Sequence, residues 1–197
     1  MKKFELLTTD TKDLFGRKLF RIRALRDFGD VKAGELGGYV EKEGNLSHDG
    51  NAWVYNDANI YGNAEIYGDA EISGNAEIYG NAKISGDAKI CGDAVICGNA
   101  KISGNAKICG NAVISGNAKI SGNADYLCFK GLGSSNRNTT FFKCKDSSIG
   151  VTCGCFSGSL VEFQVKVKET HGDNKYAREY LKAAEIVKIH FDLEESA

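Results

Sequence analysis

The chain has 197 residues, 42% of them hydrophobic and 26% charged, with a formal net charge of -1; it is too apolar for a disordered polymer, and no charge excess points to nucleic acid or a membrane surface. No window approaches the ~20 apolar residues of a membrane span, and the opening MKKFELLTTDTKDLFG has no apolar core of signal-peptide length, so a cytoplasmic protein without membrane contact is expected. Proline is absent, which excludes a rigid Pro-rich linker.

The first predicted element lies in KLFRIRALRDFGD, residues 18–30, where Phe20, Ile22 and Ala24 alternate with Arg21 and Arg23. That alternation reads as a half-buried strand with a basic outer edge. Residues 1–36 are expected to form a β cap, because an uncapped solenoid exposes strand edges and core. Arg17, Arg21, Arg23 and Arg26 also offer contacts for nucleic acid phosphates, but no aromatic residues interleave with them, and the cap is preferred.

From Gly62 to Ala124 one six-residue phrase recurs without insertion: YGNAEI, YGDAEI, SGNAEI, YGNAKI, SGDAKI, CGDAVI, CGNAKI and onward. Ala and Ile stand two apart, so on a strand both face one side and form the core. Gly with Asn or Asp supplies the corner, and Asn can hydrogen-bond to the Asn of the next coil. Three hexads close a triangular coil, so residues 18 apart stack at the ~4.8 Å strand spacing. The chain has seven cysteines. Cys91, Cys97 and Cys109 share a repeat position that elsewhere holds Ser or Tyr, and they read as small tolerated side chains rather than disulfide partners.

The phrasing resembles the hexapeptide-repeat β-helix superfamily, most closely its YdcK-like members, over residues 37–124, with degenerate hexads in LGGYVEKEGNLSHDGNAWVYNDA at the start. The resemblance implies a mainly β chain built on a single-stranded parallel β-helix with left-handed coils. The right-handed bactofilin-like helix is the alternative.

Stacking sorts the outward residues into three faces. The first carries Tyr55, Ser73, Cys91 and Cys109 beside Trp53, Glu71, Lys89 and Lys107. The second carries Tyr67, Ser85, Ser103 and Ser121 beside Glu65, Lys83, Lys101 and Lys119. Its lysine column, Lys83, Lys101 and Lys119, would be answered by an anionic partner. The third carries Tyr61, Tyr79, Cys97 and Ser115 beside Asn59, Glu77, Val95 and Val113. This nearly uncharged strip, Tyr61, Tyr79, Val95, Cys97 and Val113, is the candidate interface for a protein partner or for a homo-oligomer, dimer or trimer.

Residues 125–197 change character and are expected to form a small α+β domain. YLCFKGLG, TTFFKCKD and SIGVTCGCF read as three strands. Ser159 and Glu162 form a capping box opening a helix that ends at His171-Gly172. Asp173 is the expected cap of a second helix with Ala177, Tyr180, Leu181, Ala184 and Val187 at helical spacing. The tail resembles those of phage and prophage proteins of Gram-positive bacteria, which would place the protein in a host cytoplasm as an inhibitor of a bacterial defence complex.

The superfamily resemblance also implies acyl transfer, with a histidine general base and a loop extruded from a coil. Here residues 50–124 hold no histidine, and His48 lies in the degenerate coils. A binding scaffold is therefore expected, with acyltransferase as the alternative. In the tail, Cys144, Cys153, Cys155 and His171 are too irregularly spaced for a zinc site. Cys155 with His171 is too unspecific a pair for a nucleophile. No cofactor or metal is expected. Arg137, Ser157, Ser159 and His171 are the candidate ligand or partner site of this domain, since a helix N-terminus attracts anions.

Overall fold

The computed structural model describes residues 2–193; the outermost positions of both flanking domains, 1 and 194–197, lie outside it. Strand β1 (Phe4–Leu14) pairs antiparallel with β2 (Arg17–Ala24). Phe15 and Gly16, both with positive φ, make the two-residue turn whose twist suits a hairpin. Residue alternation does not announce β1, because its register with β2 shifts between Leu7 and Thr11 and so interrupts the two-residue period. β2 pairs antiparallel with β3 (Leu36–Val40), and β3 pairs parallel with the solenoid. The hairpin therefore extends the sheet of the third face.

Twelve two-residue strands, β4 to β15, follow at six-residue intervals from Trp53–Val54 to Lys119–Ile120. They stack into three parallel sheets in which Ile60, Ile78, Ile96 and Ile114 are in direct register, and the other isoleucines likewise. Every Ala and Ile of the repeat from Ala64 to Ile120 is at most 1% exposed, so one continuous apolar column fills the coils. Asn63, Asn81, Asn99 and Asn117 form an amide ladder with links of 3.3, 3.0 and 3.4 Å. Repetition thus yields both the core and the corners.

The ladder ends cannot repeat, and side chains finish them. In the middle coils, Gly68 and Ala70 carbonyls accept from Ala52 and Trp53 amides. Eighteen residues earlier, Gly50 and Ala52 carbonyls receive the Lys3 ammonium instead, at 3.5 and 2.8 Å. Asn45 does the same for Gly62 and Ala64, at 3.2 and 2.9 Å. At the far end the Lys107 amide donates to the Asn123 side chain at 2.7 Å and the Val113 amide to Thr140 Oγ1 at 3.2 Å. Without these groups, strand-edge polar atoms would be left unpaired or open to a second chain.

Lys3 is fully buried, and burial, followed by the Arg26 charge, pushes its ammonium pKa down to about 8. The unfolded chain keeps that proton up to about pH 10.4. Between these values the unfolded state binds more protons, so this group makes stability rise with pH. In urea titrations at pH 7.5 and 9.5, wild type is expected to gain relative to Lys3→Met.

Two expectations about the solenoid are corrected. Trp53 stands on an outward position yet is 0% exposed, because Phe4 and Phe28 cover it edge-on with ring centroids at 6.3 and 5.3 Å. Cys91 and Cys109 form a disulfide. Their positions, 18 residues apart, put Cα atoms 4.7 Å apart, within the range a bridge spans. Cys97, stacked between Tyr79 and Ser115, has no cysteine at that distance and is free.

The C-terminal sheet has four strands where three were expected: β16 (Tyr126–Leu132), β17 (Arg137–Lys143), β18 (Ile149–Cys153) and β19 (Phe156–Ser159), in an antiparallel meander. Gly154, at φ +58, turns the expected third strand back on itself. Helix α1 (Leu160–His171) opens on the Ser159–Glu162 capping box and closes at Gly172 as expected. Helix α2 (Lys175–His190) is capped by Asn174, not Asp173; the Asn174 side chain accepts from Tyr176 and Ala177 amides at 2.9 and 3.1 Å. Both helices pack on the sheet through Phe141, Phe163, Tyr180, Ala184 and Val187. The domain sits on the last coil. Thr152 donates to the Val113 carbonyl at 2.6 Å, and Phe142 joins the solenoid core.

Candidate functional sites

The apolar strip is shorter than its sequence suggests. Tyr61 is 7% exposed, stacked on Tyr79 with centroids 4.9 Å apart and approached by the Arg17 guanidinium from the hairpin. Burial and the Glu77 carboxylate push the Tyr61 hydroxyl pKa far up. Burial and Cys97 push that of Tyr79 up to about 12. Val113 is tied by both backbone polar atoms to Thr140 and Thr152. The flanking domains take the two ends of the strip, leaving Tyr79, Val95 and Cys97 half-buried between them.

The lysine column is intact and in register: Lys83 pairs with Lys101, and Lys101 with Lys119, across adjacent parallel strands. Lys83 reaches down to Glu65 at 2.7 Å. Lys101 and Lys119 are exposed and have no carboxylate partner among the described residues. On the first face Lys89 is likewise answered by Glu71 at 2.8 Å, and the exposed Lys107 in register with it has no carboxylate partner among the described residues. Charge thus goes unanswered toward the C-terminal end of the second face.

In the C-terminal domain the four candidate residues separate. Arg137, at the start of β17, and His171, at the end of α1, meet at one cavity of about 360 Å³, which Tyr180, Phe156, Phe163 and Lys166 also line. No residue spacing announces this aromatic lining, because the rings come from β19, α1 and α2 and only packing brings them together. Ser159 is elsewhere: its hydroxyl donates to Glu162 at 2.8 Å and accepts from the Glu162 amide at 3.3 Å. The helix N-terminus is thereby occupied by its own carboxylate. Ser157 meets Ser115 of the solenoid at 3.3 Å.

Of the cysteines considered for chemistry, Cys153 is buried, accepting from Thr139 Oγ1 at 3.2 Å, and Cys155 is exposed. Among the described residues no group of three His, Cys, Asp or Glu side chains is placed to hold a metal, and no helix is long and apolar enough to cross a membrane. His48 is engaged on every side. Its Nδ1 accepts from the Lys3 amide at 3.1 Å, its Nε2 meets Glu43 at 2.6 Å, and Phe4 stacks on its ring at 4.4 Å. No protein-family model matches this chain, and no curated protein matches it either.

Proposed function

We propose that the chain is a non-enzymatic binding protein of the hexapeptide-repeat superfamily, presenting its rigid second face to an acidic protein. The observation that carries this reading is the in-register, unanswered pair Lys101 and Lys119. Like charges on adjacent strands at ~4.8 Å repel unless something neutralises them. Glu65 and Glu71 show that this repeat has a carboxylate solution, and here it is not used. A partner carboxylate cluster fits the vacancy. The tail's likeness to phage and prophage proteins suggests a role for such binding in a host cytoplasm, namely steric blocking of a defence complex.

The engagement of His48 weighs against acyl transfer. A general base must have a free lone pair within reach of the acceptor, and both nitrogens of His48 are already used.

The test is quantitative pull-down from host cytosol with wild type and a Lys101→Glu/Lys119→Glu variant. Because the last coil is finished by Thr140 and Thr152, point variants are preferable to removing the C-terminal domain. One acidic protein is expected to be retained by wild type, lost by the variant, and eluted by about 0.5 M salt, where screening is strong. Equal retention by both forms would refute the face, retention of nucleic acid alone would refute the protein partner, and acetyl-CoA turnover by pure protein would refute the non-enzymatic assignment.

A further inference from the structure

The Arg137 cavity goes beyond the lysine face and is independent of it. A guanidinium carries five donors and no acceptor; that of Arg137, an exposed residue at the rim of the cavity, makes no hydrogen bond or ion pair to protein among the described residues. The acidic side chains around it are committed elsewhere. Glu179 accepts from the Gly133 amide at 3.0 Å, Glu169 from Lys166 at 3.2 Å, and Glu162 from Ser159. Lys166 and His171 add further nitrogen donors to the same rim. Glu169 answers Lys166, and no carboxylate among the described residues pairs with Arg137.

The walls are aromatic. His171 lies nearly parallel to Tyr180, with centroids 5.8 Å apart at 29°, while Phe163 meets Tyr180 edge-on at 5.7 Å. Phe156 leans on Phe163 at 5.6 Å. Two glycines at positive φ shape the space. A side chain at Gly154 would collide with the Arg137 guanidinium, and one at Gly133 with the Tyr180 hydroxyl. A cavity of about 360 Å³ falls in the range of small-ligand sites, which pair apolar walls with a few fixed polar groups.

We infer that this cavity binds a small organic anion: a planar ring carrying a phosphate or carboxylate, with the ring against Phe156, Phe163 and Tyr180 and the anionic group on Arg137. Guanidinium recognises both groups through paired N-H donors. The anionic group supplies what Arg137 lacks, and the ring covers the aromatic wall.

The test is ligand-observed NMR and calorimetry on the full chain with four probes: adenosine monophosphate, indole-3-carboxylate, adenosine and inorganic phosphate. At least one of the two ring-bearing anions is expected to bind at least about tenfold more tightly than adenosine or phosphate, and which one does so identifies the anionic group. Arg137→Gln is expected to weaken that binding about tenfold or more, a loss typical of a charge-assisted pair, with Arg137→Lys recovering part of it. Thermal unfolding and circular dichroism of both variants should match wild type, separating lost binding from lost fold. Failure of both ring-bearing anions to bind, equal binding by inorganic phosphate, or undiminished affinity in a folded Arg137→Gln protein would each overturn the assignment. None of these results depends on Lys101 or Lys119.

Discussion

Replacing Gly98 by alanine is expected to cost more than about 3 kcal/mol of stability, while the same change at Gly116, one coil further along the same column, costs only about 1–2 kcal/mol. Both glycines have positive φ, +69 and +63, where an L side chain carries about 1–2 kcal/mol of strain. The difference is what lies next along the solenoid. A Cβ on Gly98 would stand 2.7 Å from the Gly116 nitrogen and 3.1 Å from its carbonyl oxygen, whereas one on Gly116 meets nothing within 4 Å. Backbone is the obstacle, and it is fixed by the Asn99 amide donating to the Gly116 carbonyl at 2.8 Å. Relief would have to break that bond or part the coils, and forcing an extra carbon into closely packed structure adds about 1–3 kcal/mol. Urea unfolding of the two variants side by side checks this. Equal losses would show that neighbouring coils yield more easily than the stacked glycines imply.

Phe4→Ala is the second large effect, expected at about 3–5 kcal/mol, the usual range for deleting a buried aromatic ring. Phe4 is 0% exposed and joins three otherwise separate pieces: its own strand, His48 in the first coil, and Trp53. In a stacked array each coil touches only its neighbours, so the loss should be felt locally. Trp53 is the sole tryptophan, and its emission should shift to the red as water reaches it. Hydrogen exchange should speed at the Trp53 and Tyr55 amides, which donate to Ala70 and Ile72, and stay slow at the Cys97 amide, which donates to Ile114. Uniform acceleration along the chain would mean that the solenoid opens as one unit, contrary to this expectation.

The solenoid was legible because each hexad repeats the same local solution, and Ala88 or Ile90 need only be read once to be read throughout. What escaped was whatever happens once. β1 hid behind its register shift. Trp53 looked solvent-facing until Phe4 and Phe28, from outside the repeat, folded over it. Lys3 and Asn45 carry no motif, since their role is set by carbonyls that have no following coil to serve. The Cys91–Cys109 bridge was within reach of the stacking rule, which places any two residues 18 apart side by side. Arg137 and His171 were grouped in one candidate site with Ser157 and Ser159, which lie elsewhere; the aromatic wall beside them depends on α2 folding back across the sheet, which residue spacing alone does not specify.

The side chains that finish the ladder also set the azimuth between the two ends. Each hexad turns the chain through one third of a revolution, so the number of hexads between Lys3's carbonyls and Asn123 fixes which way the C-terminal domain points relative to the hairpin. Inserting or deleting three hexads would lengthen or shorten the rod without rotating one end against the other. A single hexad would swing the Arg137 cavity round by about 120°, leaving every coil intact and every end group in place. Over evolutionary time, a gene of this kind can adjust reach and orientation independently, in steps that never disturb the core.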